Sequence, residues 1–160
     1  MSEDKIYIRF AEDEDCRDIL NWRNDPESVK FSLSGKVDSV SHIAWFKHKI
    51  KDINCNLFII INSSSQKIGT VRFDKNKKRA LISINLNPTF RGKGLGKASL
   101  FLALKHYFNN FDVNTIIADI KCTNEASLHI FQQTGFKKVL NKNGVSTFEL
   151  NKNEFNKIWN

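Results

Sequence analysis

Residues 87–96 read Asn-Pro-Thr-Phe-Arg-Gly-Lys-Gly-Leu-Gly, with Gly92, Gly94 and Gly96 at alternate positions between a strand pattern and a helix pattern. Such a loop lets backbone N–H groups converge at a helix N-terminus, where unpaired donors and the helix dipole favour an anion. Arg91 and Lys93 add positive charge, and a charge-assisted hydrogen bond contributes about 1.5–3 kcal/mol. A diphosphate is the natural guest. The spacing is not the GxGxxG of a dinucleotide fold, and Gly96-Lys97-Ala98 is not the end of a Walker loop.

One helix and one strand further on stands Asn124-Glu125-Ala126-Ser127-Leu128-His129-Ile130-Phe131-Gln132-Gln133-Thr134-Gly135-Phe136. Arg91–Gly96 resembles the Arg/Gln-x-x-Gly-x-Gly/Ala signature of the Gcn5-related N-acetyltransferase (GNAT) superfamily. Residues 124–136 resemble its Asn-x-x-Ser/Ala-x-x-x-Tyr-x-x-x-Gly-Phe signature. The resemblance implies acetyl-CoA as acyl donor, with the backbone of Arg91, Gly92, Lys93, Gly94, Leu95 and Gly96 on its pyrophosphate. It implies that the strand near Ile84 and Leu86 pairs with the pantetheine arm and that the Leu86 N–H polarises the thioester carbonyl. Asn124 and Ser127 would hydrogen-bond the arm, with Phe131 beside it. Read without the resemblance, Asn124 is a helix N-cap with Ser127 at N3.

Two positions depart from the family. Phe131 stands where many relatives place a tyrosine acid, and Leu81 where many place a glutamate base. Holding amine and thioester together is therefore expected to dominate the rate, with protons moving through water. His42 is a candidate for proton handling, for a substrate contact or for a structural hydrogen bond.

The acceptor side is expected in the N-terminal third. Leu20–Phe31 and Ser41-His42-Ile43-Ala44-Trp45-Phe46 resemble the GNAT subgroup that acetylates amino sugars on nucleotide carriers, the pseudaminic acid pathway type being nearest. That implies a small-molecule acceptor of the UDP-4-amino-4,6-dideoxy sugar kind, used in surface-glycan or nonulosonic acid biosynthesis. Trp22, Arg23, Asn24, Phe31 and His42 would contact it: Arg23 or Lys30 the diphosphate, Phe31 or Trp22 the base. Trp22, Trp45 and Phe46 read equally well as core. A ribosomal-type protein N-terminal acetyltransferase and a non-catalytic acyl-CoA binding module are the alternatives. Dimers are common in the superfamily, so a homodimer is open.

The elements that must position these residues follow from periodicity. Alternation marks strands at Ile6–Phe10, Ala80–Leu86 and Ile116–Cys122; the apolar run Leu57–Ile61 and Ile68–Phe73 read as strands joined by a hairpin loop, with a last pair within Val139–Leu150. Helical spacing marks Asp13–Trp22, Ser39–Lys51, Gly94–Phe108 (Leu95, Ala98, Phe101, Leu102 and Phe108 inward) and Asn124–Thr134, with a terminal turn at Glu154–Trp159. The expected class is α+β: a mixed, mostly antiparallel sheet of about seven strands flanked by helices, forming one domain over residues 1–160. The net charge of +8 suits polyanionic ligands, but nothing resembles a nucleic-acid-binding motif. The three cysteines form no CxxC pair and no metal cluster, and read as reduced thiols. Met1–Lys5 is polar and no run spans a bilayer, so no membrane partner and a cytoplasmic location are expected.

Overall fold

The computed structural model describes residues 4–159. Met1–Glu3 and Asn160, which the expected domain and the polar start include, lie outside the described residues. The elements run β1 (Ile6–Phe10), α1 (Cys16–Arg23), α2 (Pro26–Phe31), α3 (Ser39–Lys49), β2 (Cys55–Asn62), β3 (Lys67–Asn76), β4 (Arg79–Leu86), α4 (Leu95–Asn110), β5 (Thr115–Lys121), α5 (Glu125–Thr134), β6 (Lys137–Lys142), β7 (Val145–Asn151) and α6 (Lys152–Trp159). One seven-stranded sheet has the order β1-β2-β3-β4-β5-β7-β6. Among the described residues only β4 and β5 pair in parallel; the other neighbours are antiparallel. The α+β expectation and its mixed sheet are what the fold shows.

Each sheet face buries its own core. Val71, Phe73, Ile82, Ile116 and Phe148 pack with Leu100, Leu104, Tyr107 and Phe108 of α4 and with Phe131 of α5. On the other face, Leu57 and Ile59 pack with Ile19, Trp22 and Phe46 of α1 and α3. The strands that alternate in sequence therefore send one residue to each layer.

The structure corrects three local expectations. A separate helix, α2, follows α1: Asp25 caps it by accepting from the Glu27 and Ser28 N–H groups (3.2 and 3.4 Å), with Pro26 in its first turn. On α4, Ala98 is exposed; Ser99, Leu100, Ala103, Leu104, Tyr107 and Phe108 form the buried stripe, while Leu95, Phe101 and Leu102 are half-buried. The expected terminal turn is a full helix, α6, held by buried Phe155 and by Trp159, whose Nε1 donates to the Thr134 carbonyl at 3.0 Å.

Candidate active site

The parallel ladder between β4 and β5 is short. It holds Arg79 against Thr115, Ala80 against Ile116 and Leu81 against Ile117, and stops. Beyond it β4 stays paired to β3 as far as Leu86, and β5 stays paired to β7 as far as Lys121. Two strands anchored on their outer edges thus leave a wedge between their inner edges. The Asn87 N–H donates to the Ile68 carbonyl at 2.8 Å, which makes Leu86 and Gly69 a non-hydrogen-bonded pair. The backbone groups of Leu86, and of Ile84 two residues earlier, therefore point into the wedge. This edge can accept an extended ligand as a strand would.

Gly69 keeps β4 in place. A Cβ there would lie 2.7 Å from the Asn85 carbonyl oxygen. Asn87 fixes the end of β4 by donating from Nδ2 to the Lys67 carbonyl (2.9 Å) and by capping the turn Pro88–Phe90 through Oδ1. The chain then enters the glycine loop. Gly92 and Gly94 have φ of 72° and 76°, and a Cβ at either would meet nothing within 4 Å. Backbone conformation, not crowding, demands glycine there. Gly94 is the residue before α4, so the first N–H groups of a 16-residue helix open onto the loop. Lys93 is exposed, its Nζ 5.4 Å from the Phe90 ring. Gly96 allows α4 and α5 to touch, since its Cβ would lie 3.0 Å from Ile130 Cδ1.

At the head of α5, the Asn124 Oδ1 accepts from the Ser127 N–H at 3.2 Å, the helix-cap role read from sequence. Its Nδ2 group has no hydrogen-bond partner among the described residues. Phe131 is only 4% exposed and packs edge-on against Phe136, with centroids 5.0 Å apart, so at most an edge of it can meet a ligand.

Arg91 differs from expectation. Its Nη1 reaches Asp25 Oδ2 at 2.6 Å, and its Nη2 donates to Ser28 Oγ (2.6 Å) and to the Leu86 carbonyl (3.2 Å). Its guanidinium ties α2 to the end of β4, leaving only its backbone for an anion in the loop. Leu86 keeps its N–H as its free wedge-facing group. α2 also contacts both wedge strands: Ser28 Oγ donates to Asn85 Oδ1 (3.1 Å) on β4, and Lys121 Nζ of β5 donates to the Lys30 carbonyl (3.1 Å).

Several expected acceptor residues are structural. Trp22 is 6% exposed and belongs to the α1–α3 core. Asn24 spends both ends of its amide on the Val37 backbone, donating to its carbonyl (2.6 Å) and accepting from its N–H (2.9 Å). His42 is fully buried; its Nε2 donates to the Cys16 carbonyl at 2.8 Å and its Nδ1 is unpartnered. Burial, with Arg23 adding to it and the Cys16 bond opposing it, lowers the His42 pKa. A neutral, enclosed imidazole is no proton carrier for a cleft. His106 is half-buried, edge-on to Phe58 at 5.3 Å; His48 and His129 are exposed.

Arg23 and Phe31 remain available. Arg23 lies over the Trp45 ring (4.8 Å to the centroid), and Arg72 of β3 lies 5.3 Å from the same centroid. Arg72 is held by Asp74 (2.7 Å) and reaches Ser83 Oγ (3.3 Å) on β4. Arg23 has no carboxylate partner among the described residues. Burial first, then the charge of Arg72, lowers its pKa. A half-buried cation beside a like charge on one indole is a place for an anion. Phe31 is half-buried, with Lys30 Nζ 5.2 Å from its centroid.

Sequence reasoning missed Asp25, Ser28 and Asn85, which set α2 against the site. The Asp-Pro pair was the available signal. No group of three or more His, Cys, Asp or Glu side chains among the described residues is arranged to hold a metal, and no helix among them is long and apolar enough to cross a membrane. Cys55 is buried, its thiol pushed up to about 11 chiefly by that burial.

The chain matches the family described as Acetyltransferase (GNAT) domain over residues 5–137. It is 27% identical over 119 residues to Acetyltransferase PseH of Campylobacter jejuni, covering 74% of each chain. It is 23% identical over 140 residues to Spermidine N(1)-acetyltransferase of Escherichia coli, covering 84% of this chain and 74% of that one. Its fold superimposes on spermidine N-acetyltransferase from Vibrio cholerae, solved with CoA and spermine, with a TM-score of 0.84 at 19% identity over 94% of this chain and 97% of that one. The chain belongs to the GNAT acetyltransferase family: it is an acetyl-CoA-dependent N-acetyltransferase.

Proposed function

We propose that this enzyme acetylates the amine of a nucleotide-linked amino sugar, of the UDP-4-amino-4,6-dideoxy type, in surface-glycan or nonulosonic acid biosynthesis. The observation that carries the acceptor class is Arg23, a half-buried cation with no carboxylate partner among the described residues, set with Arg72 against the Trp45 ring. A sugar diphosphate offers oxygens that a guanidinium pairs with in two-pronged fashion. A polycation such as spermidine would be repelled there, although spermidine enzymes share the fold. Phe31, half-buried near the Lys30 ammonium, offers a face for the nucleotide base.

In this reading acetyl-CoA lies along the wedge. The N–H groups of residues 91–96 hold its pyrophosphate, Ile84 and Leu86 pair with the pantetheine, and Asn124 and Ser127 bond the arm, with the edge of Phe131 beside it. The Leu86 N–H stabilises the oxyanion that forms on the thioester carbonyl. The unit spans residues 1–160 and works in the cytoplasm, where acetyl-CoA is made.

Replacing Arg23 with Ala tests the acceptor assignment. Loss of a charge-assisted contact of about 1.5–3 kcal/mol raises the acceptor KM on the order of 10- to 100-fold. Acetyl-CoA affinity stays at the wild-type value. A variant that weakens only acetyl-CoA binding, or that improves turnover of spermidine alone, contradicts it.

A further inference from the structure

The family's glutamate base is missing at Leu81, and His42 is sealed away. The strands carry Asp74, Asp119 and Glu149 as carboxylates. Asp74 is neutralised by Lys49 (2.9 Å) and Arg72 (2.7 Å), and Glu149 pairs with Arg79. Asp119 has no ion pair among the described residues. Its Oδ1 accepts from Thr147 Oγ1 of β7 at 2.6 Å, which leaves Oδ2 available and the carboxylate oriented.

Its position follows from register. Ile117 is the last β5 residue on the ladder with β4, opposite Leu81. Asp119 stands two residues further, about 7 Å along the strand, at the level where the wedge opens. Ala118 points into the core under α4, so Ile117 and Asp119 share the opposite face, which is that of Arg72, Ser83 and α2. The side chain is exposed. Lys121, next on that face, has its Nζ turned to the Lys30 carbonyl.

We propose that Asp119 is the proton acceptor of the reaction. The acceptor enters as an ammonium ion, which an uncompensated carboxylate attracts. Asp119 removes one proton, directly or through one water, and frees the nitrogen lone pair. The nitrogen attacks the thioester carbonyl carbon; the C–N bond forms and the carbonyl π electrons move to oxygen. As the carbonyl re-forms, the C–S bond breaks and its electron pair leaves on sulfur. The second nitrogen proton passes to the thiolate, and Asp119 returns its proton to solvent. The products are the amide, CoA thiol and one proton. The proposal rests on N-acetyl transfer, not on the identity of the acceptor.

The test compares wild type, Asp119→Asn and Asp119→Glu with three acceptors: a UDP-4-amino-4,6-dideoxy sugar, spermidine and hydroxylamine. Hydroxylamine is already neutral at neutral pH and needs no base. With the ammonium acceptor that wild type uses, Asp119→Asn loses about 100-fold or more in kcat, and Asp119→Glu recovers at least about tenfold of it. Acetyl-CoA affinity is unchanged in both, which shows that they fold, and hydroxylamine turnover holds within about threefold. An Asp119→Asn kcat near wild type, or equal losses with ammonium acceptors and hydroxylamine, overturns the assignment. If wild type turns over spermidine and not the sugar, the acceptor reading falls, while Asp119 is judged on spermidine by the same criteria.

Discussion

The Arg91 guanidinium is held by Asp25 (2.6 Å) and Ser28 (2.6 Å) and closes the Leu86 carbonyl (3.2 Å). Its charge was expected at the pyrophosphate. The side chain instead couples the glycine loop to α2, so Arg91→Ala acts first on α2. Both partners are partly exposed, so its loss costs about 1 kcal/mol, below the usual range for a charged hydrogen bond because solvent screens the pair. Thermal unfolding should show that decrease, with a raised acceptor KM and acetyl-CoA affinity within a few-fold of wild type. Lost acetyl-CoA affinity at unchanged stability would mean that the guanidinium serves the donor. Residue types alone located the glycine loop because its partners are neighbours in sequence. They left Trp22 open between cleft and core and His42 between cleft and structural bond, and they put Asn24 on the acceptor side, because a tryptophan, an amide or an imidazole suits a core as well as a cleft. Only the packing of α1 on α3 decides between them.

Among the elements, the β4–β5 wedge is the place proposed for acetyl-CoA, and it arises from what each strand does on its other side. Gly69 lets β3 approach β4 closely, and Gly94 turns the chain from the loop into α4 at a left-handed φ of 76°. An L-residue in that conformation costs about 1–2 kcal/mol. Gly94→Ala should therefore weaken acetyl-CoA about tenfold or more by calorimetry, as the loop relaxes away from the N–H cradle. Unchanged affinity would remove the loop from the donor site. Gly69→Ala should destabilise by about 1–3 kcal/mol in denaturant unfolding, since the obstacle is a backbone carbonyl. Period-two alternation made β1, β4 and β5 legible, and an unbroken apolar run made β2 legible. It could not show that the parallel ladder stops at Leu81 and Ile117, because pairing partners lie far apart in the chain. α2 was readable from Asp25-Pro26 but is only six residues long, too short for helical periodicity to mark.

At the scale of the whole molecule, stability and charge both bear on function. His42 and His106 are held largely out of water and both have lowered pKa values, chiefly through burial. The unfolded chain therefore takes up their protons first. Their contribution is complete above the unfolded value of about 6.5 and is lost as pH falls through the lower folded values. Denaturant midpoints should decline below that pH, and His42→Gln should flatten part of the decline; an unchanged slope would show that His42 contributes nothing to it. Asp15 acts lower. Burial opposes its ionisation, but Arg9 and Lys67 hold its pKa at about 2, so its contribution fades only in strong acid. The architecture as a class was legible because motif spacing and strand order agree along the chain. The acceptor was not, because the residues proposed to meet it come from α1, α2, α3 and two strands that lie far apart in the chain. The net charge of +8 suits acetyl-CoA and the proposed nucleotide-sugar acceptor, and attraction of that kind weakens with salt. The most direct measurement is CoA thiol release from acetyl-CoA with a UDP-4-amino-4,6-dideoxy sugar, its unaminated parent, spermidine and a basic N-terminal peptide. Release with the amino sugar and not with its parent is the expected result; release only with spermidine or the peptide would contradict the account.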